Sequence, residues 1–321
     1  MYKIGKNAGK KWMAAVTAAF VTVAAATGCG KTDKAGAEER KETNSITVAA
    51  SSDTGSMDPA GSIALTYLTY SVSALDELLT FDADGEIDYR AAESYEVNED
   101  STVWTFHLRE EAVWSDGTPV TSADFLNTMT RALDPKSGSG YANYLFPIRN
   151  AEAIYNGEME IGELGVETPD DDTLIFYLEK PCVYFLDLLR LPVYTPSCST
   201  YAKETGSGWD TDPKTSVSNG PFYLAEYVPE QYMTLKKNES YWNADEVSLD
   251  EITYRFFDSQ EAMLYAYESG EADAATGLPS TVMSLYEGKE DLEITETIAT
   301  RYIYPNLNVE PLQDVRVRKA I

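Results

Sequence analysis

Apolar residues recur along the chain with two periods, and the switches between them mark its elements. Residues 12–26 are mostly apolar behind Lys3, Lys6, Lys10 and Lys11, a run too short for the roughly 20 residues of a membrane-spanning helix. That pattern predicts a signal peptide. Over residues 27–43 no apolar period survives, and the small, charged composition predicts a flexible tether. Residues 46–50 form a short β-type run, a loop rich in Ser, Asp, Gly and Pro follows to Ala60, and residues 67–79 read as helical. Between residues 102 and 109 the chain alternates, with Trp104, Phe106 and Leu108 on one face and Val103, Thr105, His107 and Arg109 on the other, which predicts a half-buried strand. A turn over residues 114–120 then delivers the chain to Thr121, which can cap a helix with Asp124 three residues on. Phe125, Met129 and Ala132 or Leu133 repeat at helical spacing until Pro135 stops them. Further strands are predicted over 173–178, 222–227, 233–237 and 252–257, and helices over 184–189 and 259–269, the latter ended by Gly270. Pro311 and Asp314 look like a helix start. The apolar positions Val315, Val317, Ala320 and Ile321 run to the last residue, so a continuation of the chain is expected. Strands and helices mix without a repeating βα unit, which predicts an α/β or α+β class and disfavours a TIM barrel.

Composition narrows the partners. The 321 residues suggest about two domains. With 25 Lys plus Arg against 53 Asp plus Glu, the net charge of −28 repels phosphate backbones and argues against a nucleic-acid partner. An apolar share of 43% with 22 tyrosines belongs to a folded chain rather than a disordered acidic one. The apolar leader ends Ala26-Thr27-Gly28-Cys29, small residues before a cysteine, which resembles the lipobox of bacterial lipoproteins. Cleavage there would leave Cys29 as a lipidated first residue; the alternative is ordinary signal cleavage beside an incidental cysteine. Removing residues 1–28 takes four lysines and no acid, leaving 21 basic against 53 acidic residues, a net charge of −32.

Candidate chemistry is sparse. One histidine, His107, and three cysteines leave almost no material for histidine triads or histidine-rich metal sites, and neither a metal nor a cofactor is expected. Gly30-Lys31-Thr32 imitates the tail of a phosphate-binding loop, but Ala25 stands where the leading Gly is needed. The window from Asp82 to Glu93 imitates a calcium loop, yet Ile87 occupies the sixth position, where the bend requires Gly, so a hairpin turn is expected. Asp170-Asp171-Asp172 is expected to be a solvated turn. Cys182 and Cys198 permit a disulfide in an exported protein, or stand as two small buried thiols. The many carboxylates leave a two-carboxylate hydrolase as a remote alternative, although no spacing singles out a pair. An acidic, tyrosine-rich, exported chain without a catalytic signature fits a receptor that captures solute, because Tyr and Trp supply broad contact area with a polar tip.

Several segments resemble the oligopeptide-binding proteins, the extracellular solute receptors of peptide ABC importers. They are Ser56-Met-Asp-Pro59, Trp104-Thr-Phe-His-Leu-Arg109 leading to Trp114-Ser-Asp-Gly-Thr-Pro-Val-Thr-Ser-Ala-Asp-Phe125, Leu133-Asp-Pro135 and Tyr141-Ala-Asn-Tyr144. Asn219-Gly-Pro-Phe222, residues 238–242 and Asp314-Val-Arg-Val-Arg-Lys-Ala320 complete an ordered series. The resemblance implies a bilobal, class II periplasmic-binding-protein-like fold with the extra domain of this group and its second lobe incomplete. Mapped onto the chain, domain I begins over 46–76, domain II is 77–198, domain I resumes over 199–243, and 244–321 starts domain III, after the signal peptide 1–28 and the tether 29–45. It implies a lipid-anchored monomer, not an enzyme, on the extracellular face of the cell membrane, or in the periplasm if an outer membrane is present. Such a receptor would hold an extended oligopeptide between two lobes and pass it to the permease subunits of an ABC importer. By family position Ile63, Ala64, Leu65, Tyr141, Asn219 and Gly220 would line the cleft; Ile63 and Leu65 could instead be core, Tyr141 a lobe-packing residue, and Asn219-Gly220 hinge turn chemistry. The acidic partner of a peptide's amino terminus would lie beyond Ile321. The same fold also serves receptors for dipeptides, nickel complexes, sugars or haem, and peptide sensors.

Overall fold

In the computed structural model, the alternation around His107 becomes a strand whose inward residues Trp104, Phe106 and Leu108 are buried. The structure describes residues 44–51, 53, 55–61, 73–82, 84–203, 208–277, 286–289, 291–294 and 302–321. The signal segment, Cys29 and most of the tether lie outside them. The chain divides into two compact units, the larger spanning residues 39–279.

In chain order that unit contains β1 (Ser45–Ala50), β2 (Leu79–Phe81), β3 (Ile87–Tyr89), β4 (Ala92–Val97), β5 (Val103–Leu108), α1 (Ser122–Leu133) and α2 (Ala151–Tyr155). There follow β6 (Val166–Glu167), β7 (Thr173–Tyr177), α3 (Phe185–Leu188), β8 (Phe222–Val228), β9 (Tyr232–Lys237), β10 (Glu251–Phe256), α4 (Gln260–Glu268) and β11 (Ala274–Ala275). Two larger sheets and a two-stranded β2-β3 hairpin organise them. An antiparallel sheet in the order β4-β5-β7-β6 is built from one continuous stretch of chain. A mixed sheet in the order β11-β1-β10-β9-β8 joins β1, in parallel register, to a strand that begins 206 residues later, Ser45 opposite Glu251.

The core of the antiparallel sheet is aromatic. Phe106, Phe176, Phe185 and Tyr194 are fully buried, with ring centroids 5.3 to 6.2 Å apart in edge-on and tilted pairs. These geometries suit the ring quadrupoles, and each buried ring contributes about 1.5–3 kcal/mol. Helix α1 closes the same core with Phe125, Met129, Ala132 and Leu133. Its start is held by Asp124, whose Oδ2 accepts from the Thr121 backbone N–H at 3.0 Å and from Trp114 Nε1 at 3.1 Å. Cys182 and Cys198 are both free and buried in this core, and burial pushes the Cys198 thiol up.

The predicted helix over 67–79 is corrected at its end. Residues 73–74 are helical, but 75–78 are not, and 79–81 form β2; residues 62–72 lie outside the description. Long-range hydrogen bonds claim this backbone: the amides of Arg90 and Ala92 donate to Leu78 O, and that of Ala91 to Glu77 O. Tertiary pairing overrides local propensity there. Asp82 makes the hairpin turn between β2 and β3, its Oδ1 accepting from the amides of Asp84 and Glu86. The triple-Asp turn likewise meets the rest of the fold through its backbone, Asp170 O, Asp171 O and Asp172 O accepting from Ser122 and Leu108.

The mixed sheet extends through β10 and β11, on the far side of residue 243, where the sequence places the start of a third domain. In the smaller unit, α5 (Glu310–Gln313) and α6 (Val315–Ala320) follow one another, and Asp314 caps α6 through Arg316 N.

Candidate functional site

Among the described residues the chain passes between the two larger sheets twice, and the crossings lie side by side. The first is the segment around Ala74–Glu77, the second the segment around Ser216–Phe222. Asn219, 4% exposed, joins them through its side chain: Oδ1 accepts from Asp76 N at 3.0 Å and Nδ2 donates to Asp76 O at 3.1 Å. An asparagine amide thus replaces one rung of a strand ladder. Gly220 N donates to Ala74 O at 3.0 Å, and a Cβ on Gly220 would stand 2.7 Å from the Ala74 carbonyl carbon. Glycine is required here for close approach of two backbones. The Ser218 hydroxyl lies between the carbonyl oxygens of Ala74 and Phe222. Asn238 Nδ2 donates to Gly220 O at 3.0 Å, bringing the end of β9 into the same knot.

At its centre is the buried Asp76 carboxylate. Its Oδ2 accepts from the Tyr241 hydroxyl at 2.9 Å and from Trp242 Nε1 at 3.1 Å. The Arg109 guanidinium lies 3.6 Å from the centroid of the Trp242 ring, a cation–π contact, and Arg109 Nε donates to Arg90 O. Burial pushes the Asp76 pKa up, opposed by Arg90, by the Trp242 and Tyr241 hydrogen bonds and by Arg109. Its neighbour Glu77 is pushed up to about 7 by burial and by the Asp76 charge. A cavity beside this knot, lined by Leu75, Trp209, Val217 and Leu224 among others, has room for about one water molecule and does not admit a peptide side chain.

Tyr141 precedes a single 3-10 turn, Ala142–Leu145, reached from α1. It is half-buried, with its ring 5.7 Å from that of Tyr144 and against the core of the antiparallel sheet. Burial, with Tyr144 beside it, pushes its phenol up. Tyr144 and Tyr184 are exposed. Asn219 and Gly220 therefore fall together in the crossing, and Tyr141 stands on the antiparallel-sheet side. Ile63, Ala64 and Leu65 lie outside the described residues.

Three groups of this unit, one of them at the crossings, escape a reading of the sequence. Asp76 sits in the run Leu75-Asp-Glu-Leu78, where an acid among apolar neighbours is the only hint of burial. Asp58 and Arg131 form a buried ion pair. Arg131 continues the polar row Asp124, Thr128, Arg131 along α1, a spacing that a solvated face would share.

The described residues form a mixed α/β fold, and likeness to known proteins identifies the family. Residues 86–321 match the model of the bacterial extracellular solute-binding proteins, family 5 Middle, and the chain belongs to that family. It is a family of solute-binding proteins rather than of enzymes. The chain is 34% identical over 277 residues to the periplasmic oligopeptide-binding protein OppA of Escherichia coli, covering 84% of this chain and 50% of that protein. It is 32% identical over 274 residues to the probable deoxycholate-binding periplasmic protein YgiS of the same organism, covering 84% and 51%. Among solved structures, a periplasmic oligopeptide-binding protein of Borrelia burgdorferi superposes with a TM-score of 0.76 at 28% identity, covering 87% of this chain and 56% of that one. The chain spans about half the length of the curated relatives it matches. No helix among the described residues is long and apolar enough to cross a membrane.

Proposed function

We propose that the protein is a lipid-anchored extracellular receptor that captures oligopeptides and delivers them to an ABC importer. The observation that carries this reading is the family membership across residues 86–321, with oligopeptide-binding relatives on both the sequence and the structure side. Ile63, Ala64, Leu65 and Tyr141 line the ligand edge, and Asn219 and Gly220 border it from the crossing. Main-chain hydrogen bonding to an added strand supplies affinity without choice of side chain. Domain I and domain II occupy the larger unit, and the pairing of β10 and β11 with β1 favours a third domain that begins after residue 276. Cys29 carries the lipid.

The test is thermal unfolding of the complete protein with a pool of mixed short peptides, with peptide integrity followed by mass spectrometry. A rise in midpoint with intact peptides is expected, since a ligand that binds only the folded state stabilises it. Cleavage of the peptides, or no rise, overturns the reading. The YgiS relationship supports a second reading, a bile-acid-like solute, which a parallel arm with deoxycholate alone distinguishes.

A further inference from the structure

Two Asn-Gly pairs occur in the sequence, Asn156-Gly157 and Asn219-Gly220. An asparagine deamidates most readily in this setting, because glycine has no Cβ to shield its amide. The Gly nitrogen attacks the Asn side-chain carbonyl carbon: a ring C–N bond forms, the bond to Nδ2 breaks, and the amide nitrogen leaves as ammonia. Water then opens the succinimide at either carbonyl and leaves aspartate or isoaspartate. No oxidant, cofactor or enzyme enters. The reaction needs a free Gly amide, a free Asn carboxamide and a backbone that can bring the two together.

The fold treats the two pairs differently. Asn156 ends α2, a helix of only five residues, and both Asn156 and Gly157 are exposed. The Asn156 carboxamide has no hydrogen-bond partner among the described residues. What restrains the pair is the helix end itself: Gly157 N donates to Ile154 O at 2.9 Å and Glu158 N to Ala153 O at 2.8 Å, with Gly157 at φ +74°. This is a Schellman end. On so short a helix it opens at low cost.

At the crossing every participant is held. Asn219 Oδ1 accepts from Asp76 N and Nδ2 donates to Asp76 O, which pins both the carbonyl to be attacked and the nitrogen that must leave. The nucleophile, Gly220 N, is engaged by Ala74 O at 3.0 Å, and Asn238 Nδ2 donates to Gly220 O. The Ala74 backbone packs so closely on Gly220 that a Cβ would stand 2.7 Å from it. We propose that Asn156 is a site of spontaneous deamidation in this protein, and that the crossing suppresses the same reaction at Asn219. The consequences differ as much as the rates. Isoaspartate at 156 lengthens the backbone by one carbon and dissolves an exposed helix end. Aspartate at 219 sets an acceptor against Asp76 O in place of a donor, so one rung between the crossings is lost.

The experiment follows both pairs by peptide mapping and isoaspartyl methyltransferase labelling. The complete protein is incubated at mildly alkaline pH, folded and in guanidinium chloride. Asn156 in the folded protein is expected to convert within about tenfold of its unfolded rate, because only a frayed helix end must open. Asn219 is expected to convert more than about tenfold more slowly than when unfolded, because three hydrogen bonds and the packing around them must open first. Folded-state suppression of Asn156 beyond tenfold overturns the proposal, as does conversion of Asn219 within tenfold of its unfolded rate. Failure of Asn219 to convert in the unfolded chain also overturns it, since the protection would then lie in the local sequence and not in the crossing.

Discussion

Gly220 shows how much of the crossing depends on a missing atom. An added Cβ would meet Ala74 C, Ala74 O and Leu75 N at 2.7 to 2.9 Å, and all three are backbone atoms that cannot swing aside. Gly220→Ala is therefore expected to lower stability by about 1–3 kcal/mol, read from urea unfolding. Glu77 supplies a pH signature. Its pKa rises from the usual 4.5 to about 7 on folding, so in that interval the folded chain holds the proton more tightly than the unfolded one. Its contribution is therefore fully present below about 4.5, is lost as pH rises through about 7, and changes little above that. The thermal midpoint of the parent is expected to fall across this window more steeply than that of Glu77→Gln, with a residual slope from the raised Asp76. Neither residue announces itself in the sequence. The partners that bury Asp76 stand 143 to 166 positions away, and no local period encodes them.

At the scale of elements, the legible parts are those whose pattern is decided by one buried face. β5, β7 and α1 were expected from the alternation at 102–109, the run at 173–178 and the stripe from Phe125, and each has its inward residues buried. β4 was not expected, because it is an edge strand carrying Glu93 and Glu96 with a register shift between Ala92 and Ser94, which blurs a period of two. The start of α1 was legible as Thr121 with Asp124, but the extent of Asp124's role was not. Its Oδ1 also accepts from Ser199 N at 2.8 Å, so one carboxylate serves the helix start, the Trp114 turn and the segment after Cys198. Asp124→Ala removes the acceptor of four donors, two backbone amides, an indole and the Thr121 hydroxyl. A loss of about 3–5 kcal/mol is expected by chemical denaturation, far above the ~1 kcal/mol of an ordinary cap.

At the scale of the molecule, the ordered motif series made the family legible while the ligand edge stayed out of reach. A family resemblance places Ile63, Ala64, Leu65 and Tyr141 by position; only partners distant in sequence decide what each touches. Asn219 illustrates this, since its side-chain hydrogen bonds described here are spent on the Asp76 backbone. Export chemistry is open to a direct check. If Cys29 carries the lipid, labelled palmitate is incorporated by cells making the parent chain and not by those making Cys29→Ser, which is released from the membrane fraction.

The parallel pairing of β1 with β10 has a temporal consequence. The antiparallel sheet occupies residues 92–177 and can close as soon as that stretch is available. β1 must wait for a partner 206 positions later. At about 5–20 residues per second of synthesis, that leaves a strand with bare edges for roughly 10–40 s. A chain that crosses a membrane before folding faces the same order of arrival on the far side. Holdase protection of residues 45–50 during this interval, seen as crosslinking that ends once β10 has emerged, would be the mark of that wait.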